Sequence, residues 1–261
     1  MFDAVARRYD LLNHLLSAGL DWRWRQRAAA NVFPSRDREV AGTPICDAML
    51  APPLERTRVL THAARERPPL VVDVCCGTGD LAVAVLQRWR WARVLACDVS
   101  RPMLVRAGGK LGAGRLARRA GVAEADALAL PLADTSADAA TCAFGVRNLA
   151  DEAAGLAEMV RVVRPGGRVV VLEFHRPRLG GGLAALFGLY FRRVLPTLGR
   201  WISGGRHGGY AYLVRSIEAF GPRERLARAM RRAGLRDVRI QPLPGGIASV
   251  YVGTRAPSTK A

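Results

Sequence analysis

The stretch VVDVCCGTGDLA, residues 71–82, sets a glycine turn directly behind an apolar run. Gly77 and Gly79 let backbone amides approach a ligand that a Cβ would exclude, and a helix starting there offers its positive end to a negative group. Gly77, Gly79 and Ala82 also satisfy the dinucleotide pattern G-x-G-x-x-A, so a nicotinamide cofactor is one reading. Asp98, nineteen residues past Gly79, suits either cofactor class, because both present ribose hydroxyls to a carboxylate there. Asp73 tilts the choice. At the end of the first strand its carboxylate can receive an ammonium group indirectly, whereas a pyrophosphate would be repelled. Asp126 can accept from an exocyclic adenine amine, and Met103 can pack on the adenine face. Together these residues specify an amino acid joined to a nucleoside, which is S-adenosylmethionine. Taken singly, a strand-end aspartate often only caps the next helix.

A second group sits in AFGVRNLAD, residues 143–151, where Arg147 and Asn148 follow a strand-like run at once. Ligands in open α/β sheets bind beyond the carboxyl ends of the strands, so this stretch is expected to wall the site where a methyl group leaves. The plain alternative for Arg147 is an ion pair with Asp151 on the following helix. His175, in LEFHRP, is a second base candidate, against an ordinary solvated loop histidine; Glu173 and Asp10 are further candidates to line the site.

These residues need a parallel sheet to hold them. Apolar β-branched runs alternate with helical patterns, predicting strands at 70–74 (LVVDV), 93–97 (RVLAC), 121–124, 139–144 and 168–172 (RVVVL). A helix starting at Asp151 and Glu152 carries a core stripe of Leu156, Met159, Val160 and Val163, and Pro165-Gly166-Gly167 stops it. Another has Pro222 in its first turn and ends at Gly234. Residues 238–241 and 247–252, joined by Pro244-Gly245-Gly246, read as a closing β-hairpin. The fold class is therefore α/β, a seven-stranded, mostly parallel, doubly wound Rossmann-like sheet with an N-terminal helical segment and a C-terminal antiparallel hairpin. That ending suits a methyltransferase better than a dehydrogenase. One domain is expected over 1–261: a helical cap (1–32), an insertion rich in proline and arginine (33–69), a cofactor-binding core (70–175), a lid or substrate segment (176–221), and the final helix and hairpin (222–261).

No uncharged apolar stretch reaches the eighteen or so residues that could cross a bilayer, 179–191 being the longest. The opening MFDAVARRYD lacks the layout of an export signal, so a cytoplasmic place is expected. Cys46, Cys75, Cys76, Cys97 and Cys142 lack paired zinc spacing, and no metal site is expected. The formal charge of +18 invites a nucleic-acid or anionic-membrane partner. Lys110 and Lys260 are the only lysines, however, and the abundance of Arg, Ala and Gly matches a coding bias that spreads charge without a patch. An RNA methyltransferase acting on base amines would show Asn/Asp-Pro-Pro-aromatic where this chain reads AFGVRN.

The stretches YDLLN, VDVCCGTGDLA, CDVSRPML, EADALALPLAD, AFGVRNLAD, VRPGG and GGIASVYVG resemble the quinone C-methyltransferases that methylate demethylmenaquinone and polyprenyl-benzoquinol rings. The resemblance covers nearly everything except 33–69. It implies cofactor contacts at Thr78, Asp98, Asp126 and Ala127 and near Ala143, where some relatives carry serine. It also implies a proton-removal network of Arg147, Asn148 and Tyr9, the last from the N-terminal helix. For a quinol ring, Arg147 would stabilise the developing phenolate and Asn148 would orient a water or hydroxyl beside it. The expected partners are a lipophilic quinol, an anionic membrane surface touched peripherally by a lid at 183–202, a second copy of the chain as homodimer, and no nucleic acid. A methyltransferase for another phenolic ring and a non-catalytic cofactor-binding subunit stand as alternatives.

Overall fold

Period-two apolar runs build the sheet, and amphipathic helices cover both of its faces. The computed structural model describes residues 17, 19–34, 67–176, 216–217, 219–244 and 246–257. Tyr9, Asp10 and the 183–202 segment lie outside them, as do Leu11, Leu12, Leu15 and Leu16 and most of the 33–69 insertion.

The strands are β1 (Leu70–Val74), β2 (Arg93–Asp98), β3 (Ala120–Glu124), β4 (Ala137–Ala143), β5 (Val163–Phe174), β6 (Leu235–Pro242) and β7 (Ala248–Arg255). They form one sheet in the order β3-β2-β1-β4-β5-β7-β6. β1 pairs in parallel with β2 and β4, placing Asp73 beside Ala96 on one side and Thr141 on the other. β7 runs antiparallel to both β5 and β6, which is the expected closing hairpin. The order reverses at β1, so the crevice beyond β1 and β4 is the switch point at which such sheets bind ligands.

Helices α1 (Asp21–Ala30), α2 (Asp80–Arg88) and α3 (Arg101–Leu111) cover one face, and α4 (Glu152–Val162) and α5 (Arg223–Arg232) the other. Side-chain alternation along β5 feeds both layers: Val170, Leu172 and Phe174 point to the first, Val169 and Val171 to the second. The first layer extends to Phe33, placed by the sequence reading at the head of the insertion but buried here edge-on to Trp89 at 5.3 Å. Trp89 Nε1 also donates to Ala29 O at 2.7 Å, which docks α1 onto the end of α2.

Asp151 caps α4 as expected, its side chain accepting from Ala154 N at 3.0 Å. The helix stops earlier than its apolar stripe suggested, and Val163 opens β5 instead of completing α4. Arg164 precedes Pro165 and is therefore biased to extended backbone, which ends the helix before the Pro-Gly-Gly element itself. Gly167 then passes so close to β4 that a Cβ would sit 2.4 Å from Asp138 O.

Candidate active site

The end of β1 delivers the chain into a tight turn. Cys75, Gly77 and Gly79 all take positive φ, at 54°, 55° and 84°, and Gly79 is the N-cap of α2. For Cys75 that conformation is strained, and such strain gathers where a backbone must approach a ligand. A Cβ on Gly79 would stand 3.1 Å from Ala107 Cβ, so the turn also packs tightly on α3.

Asp98 closes on this turn from β2. One oxygen accepts from Gly77 N at 2.8 Å and the other from Ser100 N at 2.9 Å. The carboxylate is thereby locked in orientation by two backbone donors, as a group that reads a pair of hydroxyls must be. Thr78 is buried, and Lys110 Nζ donates to its hydroxyl at 3.0 Å and to Asp80 at 2.5 Å.

Asp73 is buried deeper still. Its Oδ1 accepts from Thr141 Oγ1 at 2.7 Å, while Oδ2 is buried with no hydrogen-bond partner among the described residues. Burial pushes its carboxyl up to about 7, only partly opposed by the Thr141 hydrogen bond. A lone buried carboxylate oxygen is costly, and a ligand that donates to it removes the cost.

A cavity of about 220 Å³ runs from the glycine turn past Asp98 and Met103 to Asp126, Ala127, Ala143 and Asn148. Asp126 is fixed by accepting from Leu128 N at 2.9 Å. A smaller recess of about 20 Å³, lined by Asp73, Thr78 and Arg25, shares Cys75, Gly77 and Ala143 with it. All nine positions read from the sequence as cofactor-binding are gathered here, although Gly79 shapes the turn without lining either space.

The wall after β4 is built from AFGVRN. Phe144 takes φ +59°, a rare conformation for an aromatic residue, and stacks on Phe174 at 4.4 Å. Gly145 is required beside it, because a Cβ would meet Cys75 Cβ at 2.5 Å and Cys142 Sγ at 2.8 Å. Phe144 O accepts from Asn148 Nδ2 at 3.1 Å and from Arg147 Nη1 at 2.6 Å.

Arg147 departs from its expected place. Its guanidinium is absent from the cavity wall and pairs at 2.6 Å with Glu173, whose side chain is fully buried. Glu173 also accepts from Arg147 N at 3.2 Å and Phe174 N at 2.8 Å. The Asp151 pairing does not describe this arginine, whose counter-charge is the buried carboxylate from β5. His175 likewise is no solvated loop residue. It is 2 % exposed, its Nε2 lies 2.9 Å from Ser249 Oγ, and burial lowers its pKa. Tyr9, the third member of the implied proton-removal network, lies outside the described residues.

Sequence reasoning missed Arg25, Thr141 and the pairing role of Glu173. Thr141 follows from register alone, since β1–β4 pairing sets it opposite Asp73. Arg25 is one of several arginines in DWRWRQR, and nothing in their spacing singles it out.

A parallel sheet reversing at β1, a glycine turn at the switch point and a seventh strand inserted antiparallel define the fold of nucleoside-dependent methyltransferases. Solved structures agree: a SAM-dependent methyltransferase from Thermotoga maritima superposes with a TM-score of 0.56 at 17 % identity, covering 98 % of this chain and 99 % of its own. An O-methyltransferase family protein from Burkholderia thailandensis gives a TM-score of 0.52 at 19 % identity over 78 % of this chain and 59 % of its own. The chain belongs to the ubiE/COQ5 methyltransferase family, whose model matches residues 53–255. It is 42 % identical to a demethylmenaquinone methyltransferase of Deinococcus radiodurans over 255 residues, 98 % of this chain and 91 % of the relative. The protein of the same name from Thermus thermophilus is also 42 % identical, with 98 % and 100 % covered. A ubiquinone/menaquinone biosynthesis C-methyltransferase from Syntrophotalea carbinolica is 38 % identical over 98 % of this chain and 93 % of its own.

Proposed function

We propose that this methyltransferase uses S-adenosylmethionine to methylate a ring carbon of a prenylated quinol of the demethylmenaquinol type. One observation carries the cofactor part: the recess at the unpartnered Asp73 oxygen adjoins, across the shared walls Cys75, Gly77 and Ala143, a larger cavity that passes the Asp98 carboxylate clasped by two backbone amides and reaches Asp126. The residues fit that cofactor. Asp98 would hold the ribose hydroxyls, Asp126 the adenine amine, Met103 and Ala127 the adenine faces, and Thr78 with the glycine turn the amino-acid end. When bound, the cofactor supplies an electrophilic methyl on a sulfonium.

The chain's own contribution is placement and exclusion of water. Attack by a ring carbon requires that carbon to stand in line with the methyl near 3 Å, and alignment of this kind supplies much of the rate. Phe144, Gly145 and Asn148 form the cavity wall on that side, and Asn148 is the polar group that meets the ring hydroxyl or a water beside it. Arg147 serves as a positioning residue. Through Glu173 and Phe144 O it holds the strained wall, and its paired charge reaches the ring less strongly than a lone guanidinium would. Family resemblance adds Tyr9 to the proton-removal network.

The demethylmenaquinol assignment rests on the names of the relatives and on their near-complete coverage of the chain. Peripheral contact with an anionic bilayer, where such a lipid resides, belongs to the same reading, and the mix of apolar residues with Arg192, Arg193 and Arg200 in the sequence of 183–202 is what supports it. No helix among the described residues is long and apolar enough to cross one. Mass spectrometry of quinones from cells lacking the protein tests the reading: a ring-demethylated quinone should accumulate, and an unchanged quinone profile would refute the assignment.

A further inference from the structure

Four of the chain's five cysteines gather around the turn that follows β1, and Cys46 lies outside the described residues. Cys75 and Cys76 belong to the turn, Cys97 O on β2 accepts from Cys76 N at 2.9 Å, and Cys142 sits near the end of β4. Two of them meet. A Cβ on Gly145 would stand 2.8 Å from Cys142 Sγ and 3.2 Å from Cys75 Sγ, so both sulfurs border the one gap that this glycine leaves. The β1–β4 register brings them there, because Asp73 faces Thr141 and the residues that follow run on side by side. Neighbouring strands lie about 5 Å apart, within the Cα separations that a disulfide bridges. The two thiols differ in access. Cys75 is half-buried and lines both the recess and the cavity, whereas Cys142 is 1 % exposed and lines neither. The Cys142 thiol is held well above the ordinary thiol range, first by the neighbouring Cys75 thiol and then by burial. Burial likewise pushes up the Cys76 thiol, and that of Cys97 to about 12. Thiols that keep their protons react slowly with oxidants, since the thiolate is the nucleophile. That leaves Cys75, on its strained backbone, as the sulfur that meets a small oxidant entering the cavity.

We propose that Cys75 and Cys142 form a peroxide-sensitive dithiol whose oxidation to a disulfide distorts the glycine turn and switches cofactor binding off. This rests on the cofactor reading above. In the first step Cys75 Sγ attacks hydrogen peroxide. An S–O bond forms, the O–O bond breaks, and the thiol proton leaves with the second oxygen as water, giving a sulfenic acid. Cys142 Sγ then attacks that sulfur: the S–S bond forms, the S–O bond breaks, and the departing hydroxide takes the Cys142 proton as a second water. Two thiols thereby lose two electrons and two protons to one peroxide. A disulfide sets its sulfurs about 2 Å apart, well inside the separation of two thiols in contact. Closing that gap draws Cys75 toward β4, and the turn at Gly77 and Gly79 must follow it. The amides that face the cofactor space are then out of place. A thiol reductant reverses the change by exchange through a mixed disulfide.

The test treats the full-length chain with a small excess of hydrogen peroxide, then maps its peptides by mass spectrometry and titrates it with S-adenosylhomocysteine in a calorimeter. The wild type should lose two hydrogens through a Cys75–Cys142 linkage. Its affinity for S-adenosylhomocysteine should fall at least about tenfold and return with dithiothreitol. Ligand bound beforehand should slow the linkage, because Cys75 lines the space it fills. Cys142→Ala removes the second thiol, so a sulfenic acid should accumulate at Cys75 and be trapped by dimedone. Linkage to Cys97 instead, an unreacted Cys75, or a linked protein that binds S-adenosylhomocysteine as tightly as the reduced one overturns the switch. The wild-type mapping needs no variant to fold. If the reduced wild type fails to bind S-adenosylhomocysteine while the linkage still forms, the cofactor reading falls and the switch falls with it.

Discussion

The pair of Arg147 and Glu173 makes the sharpest energetic claim. Nη1 and Oε1 are 2.6 Å apart, and the two side chains are 6 % and 0 % exposed. Glu173→Leu leaves a guanidinium enclosed without its counter-charge, a change that costs about 3–5 kcal/mol. Arg147→Met strands the carboxylate in the same way, with only the backbone donors of Arg147 and Phe174 remaining to it. The double variant removes both charges and replaces them with apolar groups of similar volume, which is often close to neutral. Measured as a cycle, the single losses should therefore exceed the double loss, with a coupling of about 2 kcal/mol or more. Urea unfolding of the four proteins without ligand reads this directly, provided the m-values agree. Single losses below about 1 kcal/mol, or losses that simply add, would show that the pair is solvated and free to serve a substrate directly.

Asp73 gives the ligand-free protein a characteristic pH dependence. Its carboxyl titrates at about 7 when folded against 3.8 ordinarily, so between those values the folded state keeps a proton that the unfolded chain has lost. Stability should fall as pH rises through that window, by up to about 4 kcal/mol, and Asp73→Asn should flatten the slope in urea titrations at stepped pH. An unchanged slope would place the titration elsewhere. Asn148→Ala should retain S-adenosylhomocysteine binding in calorimetry while methyl transfer falls by about a hundredfold, the scale of one lost polar contact to the reacting group; full turnover would remove Asn148 from the chemistry.

Much of the candidate site was legible because its geometry is local to strand ends. Gly77, Gly79 and Asp98 lie a fixed distance beyond predictable strands, and a parallel sheet brings such ends to one edge whatever the details of packing. The edge of α4 was misjudged by one residue, since Val163 continues the helical stripe by type and is turned into β5 by the proline that follows Arg164. Arg147 shows a different limit. Its position beside the site was readable, but its direction depends on Glu173, a residue on another strand whose burial no local pattern announces. Arg25 was invisible for the same reason: only the docking of α1 through Trp24, Ala28 and Ala29 decides which arginine of DWRWRQR turns inward.

The central claim is methyl transfer to a ring carbon, and one reaction tests it. The purified chain is given S-adenosylmethionine carrying a trideuteromethyl group together with a reduced demethylmenaquinone, and the quinone product is analysed by fragment-ion mass spectrometry. The deuterated methyl should appear on the quinone ring and be absent without enzyme. Product bearing the label on a ring oxygen, or no labelled quinone despite bound cofactor, would contradict the account.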